Sequence, residues 1–121
     1  MTKQRDNVNG FRLFPEGHYE FTVEKKPEKF KTPSGKATYR KWYFGTIFNG
    51  QKRTYTKLLF PWDSKDLLIA LGGIVCEDGG IEWDDEEVVG KKFIADVVHL
   101  PDRNNIMRDN LENIETEELP F

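Results

Sequence analysis

Cysteine and histidine are nearly absent from this chain. Its 121 residues include one cysteine, Cys76, and two histidines, His18 and His99. A single cysteine excludes an internal disulfide, and these three residues are too few for a four-ligand zinc site. The sequence also lacks a Gly-rich phosphate loop and a serine or cysteine nucleophile with a plausible base. We therefore predict that the protein is not an enzyme and uses no metal or cofactor.

Long apolar runs are missing as well. No stretch approaches the roughly 20 residues that cross a bilayer as a helix, and the polar start, Met1 to Asp6, does not resemble a signal peptide. We expect a cytosolic protein. At 121 residues the chain fits one domain with a modest core.

The charges are divided unevenly along the chain. Residues 1–60 hold 13 Lys and Arg against 5 Asp and Glu, a net charge of +8, whereas residues 61–121 hold 5 against 16, a net charge of −11. Such asymmetry suggests a part that binds a polyanion and a separate acidic part. We interpret the carboxylates of residues 77–87 as a solvated acidic cap, with a Mg²⁺ or protein contact as the remaining alternative, because no His ligand or placed base lies nearby.

The basic half contains the clearest local signal. Residues 38–48 and 51–60 are rich in aromatic and β-branched side chains and are joined by Asn49-Gly50. This pattern predicts a β-hairpin, because both positions of its two-residue turn need a positive φ. The short loop also fixes the register, so residues whose numbers add to 99 face each other.

One face of the predicted hairpin interleaves rings with cations. Bases of single-stranded nucleic acid stack on such rings for roughly 1–3 kcal/mol each, while Lys and Arg neutralise phosphates. We therefore predict a binding surface on this face, formed by Arg40, Trp42, Phe44, Arg53, Tyr55 and Lys57. The alternative, in which the rings are core residues, stays open because a slip of one residue exchanges the two faces.

A lysine-rich segment precedes the hairpin. Residues 25–37 contain five lysines, two prolines, a Ser34-Gly35 turn and one aromatic residue. We predict a basic, flexible arm that closes over nucleic acid through Lys29, Phe30, Lys31 and Lys36. A long solvated hairpin loop is the alternative.

The remaining elements complete a recognisable order. Residues 19–23 alternate as a half-buried strand, a helix is expected from Asp63 to Leu71, and strands are expected at residues 92–99 and from Ile106 to about Ile114, with a bulge near Asn110. This order, in which three strands are followed by a helix and two more strands, is that of the OB-fold. The OB-fold is a five-stranded Greek-key barrel whose second and third strands bind oligonucleotides. We predict an all-β OB-fold barrel with its helix between strands 3 and 4, within a domain of residues 1–114 that has a mobile N-terminus.

The chain ends in Glu117, Glu118, Leu119, Pro120 and Phe121. An acidic end that finishes in apolar residues predicts a recognition hook for a protein partner, with Phe121 folding back onto its own barrel as the alternative. It resembles the acidic tip of bacterial single-stranded DNA-binding proteins, in which the tip recruits replication, recombination and repair proteins and the final Phe is the anchor. That resemblance implies partner binding by residues 115–121. In the bacterial proteins a long linker precedes the tip, whereas here only a few residues do.

The body resembles a related group. The Pro15-Glu16-Gly17 turn, the Gly90-Lys91-Lys92 segment and the Asn110 to Ile114 end are similar to short phage-type single-stranded DNA-binding proteins. The resemblance implies non-sequence-specific binding and protection of single-stranded DNA during replication and recombination, in the host cytoplasm if a phage encodes the chain. A homo-oligomer fits this expectation. A β-barrel for protein interaction or assembly, without nucleic-acid binding, is the alternative.

Overall fold

The computed structural model describes residues 13–116 of this chain. Its strands are β1 (Gly17–Val23), β2 (Glu28–Lys31), β3 (Thr38–Phe48), β4 (Gln51–Leu59), β5 (Ile74–Val75), β6 (Ile81–Glu82), β7 (Lys92–Pro101) and β8 (Met107–Thr116); a 3₁₀ turn spans Pro61–Asp63 and helix α1 spans Lys65–Ala70. The predicted all-β class with one short helix is confirmed over these residues. Residues 1–12 and 117–121 lie outside them, whereas Glu115 and Thr116, the first two residues of the predicted tip, belong to β8.

Strand β3 organises the main sheet. It pairs with β4 along one edge, and with both β2 and β1 along the other; β1 continues the sheet to β7 and then β8, and every pairing is antiparallel. Within residues 13–116, no strand pairing joins β4 to β8, so the sheet is open along this β4/β8 seam. Strands β5 and β6 form a separate small hairpin.

The β3–β4 hairpin has the predicted register. Its partners run from Arg40 with Leu59 to Phe48 with Gln51, so every paired number adds to 99. Asn49 and Gly50 have φ values of 51° and 76°, as a two-residue turn that follows the twist of its strands requires.

The core lies between the inner face of the sheet and α1. Its largest fully buried side chains come from β1, β3, β7, α1 and the residue after it: Trp42, Phe21, Phe44, Phe93, Leu67, Leu71, Val23 and Val97. The inward face of α1 and the residue after it consist of Leu67, Leu68 and Leu71, which are buried. The helix is shorter than expected, because its N-cap is Ser64 and Asp63 ends the 3₁₀ turn.

The predictions of a flexible arm and of the position of the β8 bulge need correction. The segment predicted as a flexible basic arm contains β2, whose residues pair with Thr38 to Lys41 of β3, and a tight turn closed by the Thr32 and Ala37 backbones joins the two strands. The bulge of β8 lies near Asn113 and not near Asn110. Ile94 pairs with Glu115 and Asp96 with Glu112, so β8 carries one extra residue there, and Asn113 has a φ of 53°.

Candidate nucleic-acid interface

The face assignment of the hairpin was wrong, although its register was right. Trp42, Phe44 and Tyr55 were predicted to point outward, but they are only 1%, 0% and 2% exposed. The rings of Phe44 and Tyr55 pack with Phe21 of β1, and Phe44 also meets Phe93 of β7. Trp42 stacks on Phe44 and Trp83. A ring enclosed in this way cannot stack on a base, so these three residues belong to the core.

Of the cations predicted on the same face, Arg40 lies apart from Arg53 and Lys57, since it lines other hollows of the surface than they do. The guanidinium carbon of Arg40 lies 4.9 Å from the ring centroid of Trp83, and that of Arg53 lies 5.5 Å from the Phe48 ring. Lys57 is largely enclosed at the β4/β8 seam. All three cations, Arg40, Arg53 and Lys57, are therefore at least partly accessible. They do not form a continuous binding surface with Trp42, Phe44 and Tyr55, because those rings are buried.

The residues of the predicted arm remain at the surface. Lys29, Phe30, Lys31 and Lys36 are all exposed, and Phe30 retains 39% of its accessible area. Because side chains alternate along a strand, Phe30 shares the outward side with Tyr39, its partner in β3. Lys29 lies on the other side, opposite Arg40.

The outward face carries its own set of rings. Phe30 stacks on Tyr39 with centroids 5.6 Å apart, Tyr39 contacts Phe60 at 5.7 Å, and Phe60 stacks on Trp62 at 4.6 Å with an interplanar angle of 7°. Trp62 is 69% exposed. These four residues, Phe30, Tyr39, Phe60 and Trp62, form an aromatic row that crosses the sheet from β2 to the 3₁₀ turn.

Cations lie beside the aromatic row. Lys41 follows Tyr39 on the same side of β3, and the Nζ atoms of Lys41 and Lys25 lie 5.4 and 3.9 Å from the ring centroid of Tyr43. The Tyr43 hydroxyl donates a hydrogen bond to the Glu28 carboxylate, and this bond raises the pKa of Tyr43. Glu28 thus holds Tyr43 in place. Its carboxylate also lies 3.9 Å from the Lys25 ammonium, and Glu28 is the residue that pairs with Lys41. With two cations and one carboxylate, this side of the row keeps a positive border.

A cationic groove runs along the β4/β8 seam. It has a volume of about 1220 Å³, and its lining includes Lys52, Arg53, Lys57 and Arg108 together with Leu13, Phe14 and Pro15. Leu58 also lines it and is 56% exposed. Because Leu58 pairs with Lys41, the groove meets the positive border of the aromatic row.

Asp109 of β8 joins the two sides of this groove. Its carboxylate accepts hydrogen bonds from the Phe14 amide at 2.8 Å and the Tyr55 hydroxyl at 3.2 Å. The Lys57 ammonium donates to the Asp109 carbonyl oxygen at 2.5 Å. Burial lowers the pKa of Lys57, and the nearby Asp109 carboxylate opposes that shift; burial raises the pKa of Tyr55 and Asp109 adds to the increase. Side chains therefore link β4 to β8 where backbone pairing does not.

Sequence reasoning missed Tyr39, Phe60 and Trp62. The register places Tyr39 opposite Phe60 on the face to which no binding role was assigned, and Trp62 lies beyond the predicted hairpin. The composition of β4 does not separate the two faces, since Lys52, Thr54 and Thr56 on the outward side are polar but so are Gln51, Arg53 and Lys57 on the other side.

Two further features of residues 13–116 bear on other classes of function. No group of three or more His, Cys, Asp or Glu residues in this part of the chain could hold a metal ion. None of its helices has the length and apolar character needed to cross a membrane.

Comparisons with models of protein families, with curated proteins and with solved structures found no match to this chain.

Proposed function

We propose that this protein binds single-stranded DNA with little sequence preference, with bases stacked on the aromatic row and phosphates held by the neighbouring cations. The observation that carries the proposal is the continuous contact from Phe30 to Trp62 on an outward face bordered by Lys25 and Lys41. Stacking on aromatic side chains is tolerant of sequence because every base has a π-face. A row of rings in a positive field is the arrangement that unpaired bases need.

The strand pairings support a second part of the proposal, an OB-fold. The five strands of this OB-fold would be β1, β3, β4, β7 and β8, in that order. The observed pairs are β1 with β3, β3 with β4, β1 with β7 and β7 with β8, which are strands 1 and 2, 2 and 3, 1 and 4, and 4 and 5. Helix α1 lies between the third and fourth. The contacts of Asp109 bridge the third and fifth strands, which is where a Greek-key barrel of this type would close.

Protection of DNA during replication, recombination and repair would follow from such binding, and a phage origin fits the resemblance of the body. Recruitment of partner proteins is the proposed role of the tip, Glu117 to Phe121. The supporting feature is its composition, in which acids precede an apolar anchor.

Salt should weaken binding to oligo(dT) steeply. Each neutralised phosphate of a single strand contributes roughly −0.7 to the slope of log affinity against log salt. Arg53→Gln removes one cation from the groove, so its slope should be shallower by about 0.7. Tryptophan fluorescence titrations at several salt concentrations measure both slopes. Lys92→Gln is the control, because Lys92 pairs with Glu20 away from the groove, and a slope that Arg53→Gln leaves unchanged would exclude the groove from the binding path.

Deleting Glu117 to Phe121 should abolish capture of partner proteins and raise DNA affinity at low salt by up to about fivefold, because an acidic segment competes weakly for cations. Pull-down from a host extract and oligo(dT) titration measure the two effects. A chain with Glu117→Gln and Glu118→Gln keeps the apolar anchor and separates charge from anchoring. Equal DNA affinity with and without the tip would reject competition and leave recruitment standing.

A protein-docking β-domain is the second candidate function. Exposed aliphatic residues on the same side as the aromatic row favour it, since Ile47 is 63% and Leu58 is 56% exposed. Oligo(dT) separates the two functions, because it should quench tryptophan fluorescence through Trp62 only if bases stack there. An unchanged spectrum, with no binding by an independent method, would favour protein docking.

A further inference from the structure

A cavity of about 470 Å³ lies where the aromatic row meets α1. It is lined by all three tryptophans of the chain, Trp42, Trp62 and Trp83, and by Arg40 and Lys65. Its volume falls within the range of roughly 300–1,000 Å³ that is usual for small-molecule sites. Because Trp62 ends the row and also lines this tryptophan pocket, the two are continuous.

One wall of the tryptophan pocket carries an unused hydrogen-bond donor. Nε1 of Trp42 is buried and has no hydrogen-bond partner among residues 13–116. Buried polar groups of folded proteins are nearly always paired, so an exception requires an explanation. Trp42 is stacked on Phe44 at 5.8 Å and on Trp83 at 5.6 Å, and its side chain lines the pocket.

The other walls suit a flat molecule that carries a negative charge. Trp62 and Trp83 offer aromatic surfaces, and the Arg40 guanidinium lies 4.9 Å from the centre of the Trp83 ring. Lys65 adds a second cation. Asp84 and Glu86 line a neighbouring hollow that also contains Arg40 and Trp83. Because these carboxylates repel an anion, the negative group of a ligand is favoured on the side of the pocket where Lys65 lies. A nucleotide combines the required parts, which are a planar base, acceptor atoms on its edge and a phosphate.

We propose that the tryptophan pocket takes one unstacked base of the single-stranded DNA that lies along the aromatic row, and that this base accepts a hydrogen bond from Nε1 of Trp42. The inference rests on the proposed function and adds to it. Most of the strand is bound without regard to sequence, whereas one position is held by an edge contact that needs an acceptor on the base.

A thymidine isostere provides the test. The full chain and its Trp42→Phe variant are titrated with a short oligo(dT), and with the same oligonucleotide carrying one 2,4-difluorotoluene nucleotide, which keeps the shape of thymine but accepts hydrogen bonds poorly. The isostere is moved through every position. At one position the isostere should weaken binding to the unaltered protein about three- to tenfold, which is the contribution of one hydrogen bond. At the same position it should not weaken binding to Trp42→Phe, because that variant lacks the indole donor.

The outcomes separate this inference from the function on which it rests. If the isostere weakens binding equally in both proteins, or at no position, the proposed base contact in the tryptophan pocket is rejected. Tight binding of oligo(dT) would then still support the proposed function. Absence of oligo(dT) binding overturns both.

Trp42 is a core residue, so the folding of Trp42→Phe is checked by circular dichroism. If the variant does not fold, indole ¹H–¹⁵N spectra of the unaltered protein give the same test. Trp62→Phe and Trp83→Phe assign two of the three indole signals, which leaves the third to Trp42. That signal should move when oligo(dT) binds and stay in place when the isostere occupies the critical position. A Trp42 signal that responds equally to both oligonucleotides overturns the proposal.

Discussion

Replacing Phe44 by alanine should lower the free energy of unfolding by about 3–5 kcal/mol, the usual cost of removing a fully buried phenylalanine ring. Phe44 is 0% exposed. Its ring meets Phe93 edge to face at 4.9 Å and lies 5.9 Å from Phe21, so the variant leaves a cavity between three strands. Because domains of this size are stable by only about 5–15 kcal/mol, much of the margin would be lost. Urea unfolding followed by circular dichroism measures the change.

Ile47→Ala is the control for Phe44→Ala. Ile47 lies in the same strand but is 63% exposed, so its loss should cost less than about 1 kcal/mol, mainly through lower strand propensity. If the two substitutions cost the same, Phe44 is not the core residue that its burial indicates. A folded and stable Phe44→Ala protein that had lost DNA affinity would restore the original assignment of the hairpin faces.

The hairpin shows why some features follow from sequence and others do not. Its turn and register depend on residues within the hairpin itself, namely Asn49-Gly50 and the lengths of the flanking runs, so they were predicted correctly. The choice of inner face depends on what the rest of the chain packs against. Both faces carry rings and cations, and only contacts with Phe21 and Phe93, far away in sequence, make the Trp42 and Phe44 side the interior.

Strand β2 was missed and the bulge of β8 was misplaced for a related reason. The four residues of β2 include two lysines and a glutamate and follow a proline, a composition that is poor in strand formers. They form a strand because the N-terminal part of β3 extends beyond β1 and offers free backbone groups on that edge. The bulge at Asn113 is likewise fixed by the pairing of β8 with β7, and an asparagine tolerates the positive φ that results. Pairing with a neighbouring strand thus determines both the strand β2 and the position of the bulge, and the local strand propensity of these residues does not indicate either.

The predicted class of ligand stays a prediction after the correction of the hairpin faces, and the predicted contacts that this correction removes are the three buried rings Trp42, Phe44 and Tyr55. Four of the ten predicted contacts, Lys29, Phe30, Lys31 and Lys36, stay exposed on or beside β2, and Arg53 and Lys57 line the groove. The rings that we propose in place of Trp42, Phe44 and Tyr55 are Tyr39, Phe60 and Trp62. Polyanion binding was inferred from the charge of the whole first half of the chain, and that inference does not depend on which side of one hairpin faces the core.

Substituting Tyr39 and Trp62 together by alanine should therefore reduce affinity for oligo(dT) by roughly 30-fold or more. Each base stacked on an aromatic side chain contributes roughly 1–3 kcal/mol by alanine substitution, and 1.4 kcal/mol corresponds to a tenfold change in affinity. Trp62 is 69% exposed, and Tyr39 lies on the outward face between Phe30 and Phe60. Neither ring belongs to the buried core, so the variant should fold with a nearly unchanged unfolding midpoint. Fluorescence anisotropy of labelled oligo(dT), with urea unfolding alongside, measures both properties.

Two control variants make the loss of affinity specific. Trp62→Phe keeps a ring at the end of the row and should lose far less affinity than Trp62→Ala, because stacking survives. Ile74→Ala removes an apolar side chain that is 67% exposed, but it lies in the β5–β6 hairpin and outside the row, so affinity should not change. Suppose that the double variant bound oligo(dT) as tightly as the unaltered chain while keeping its steep salt dependence. The DNA would then lie along the cationic groove alone, since phosphate contacts produce salt dependence without any contribution from rings.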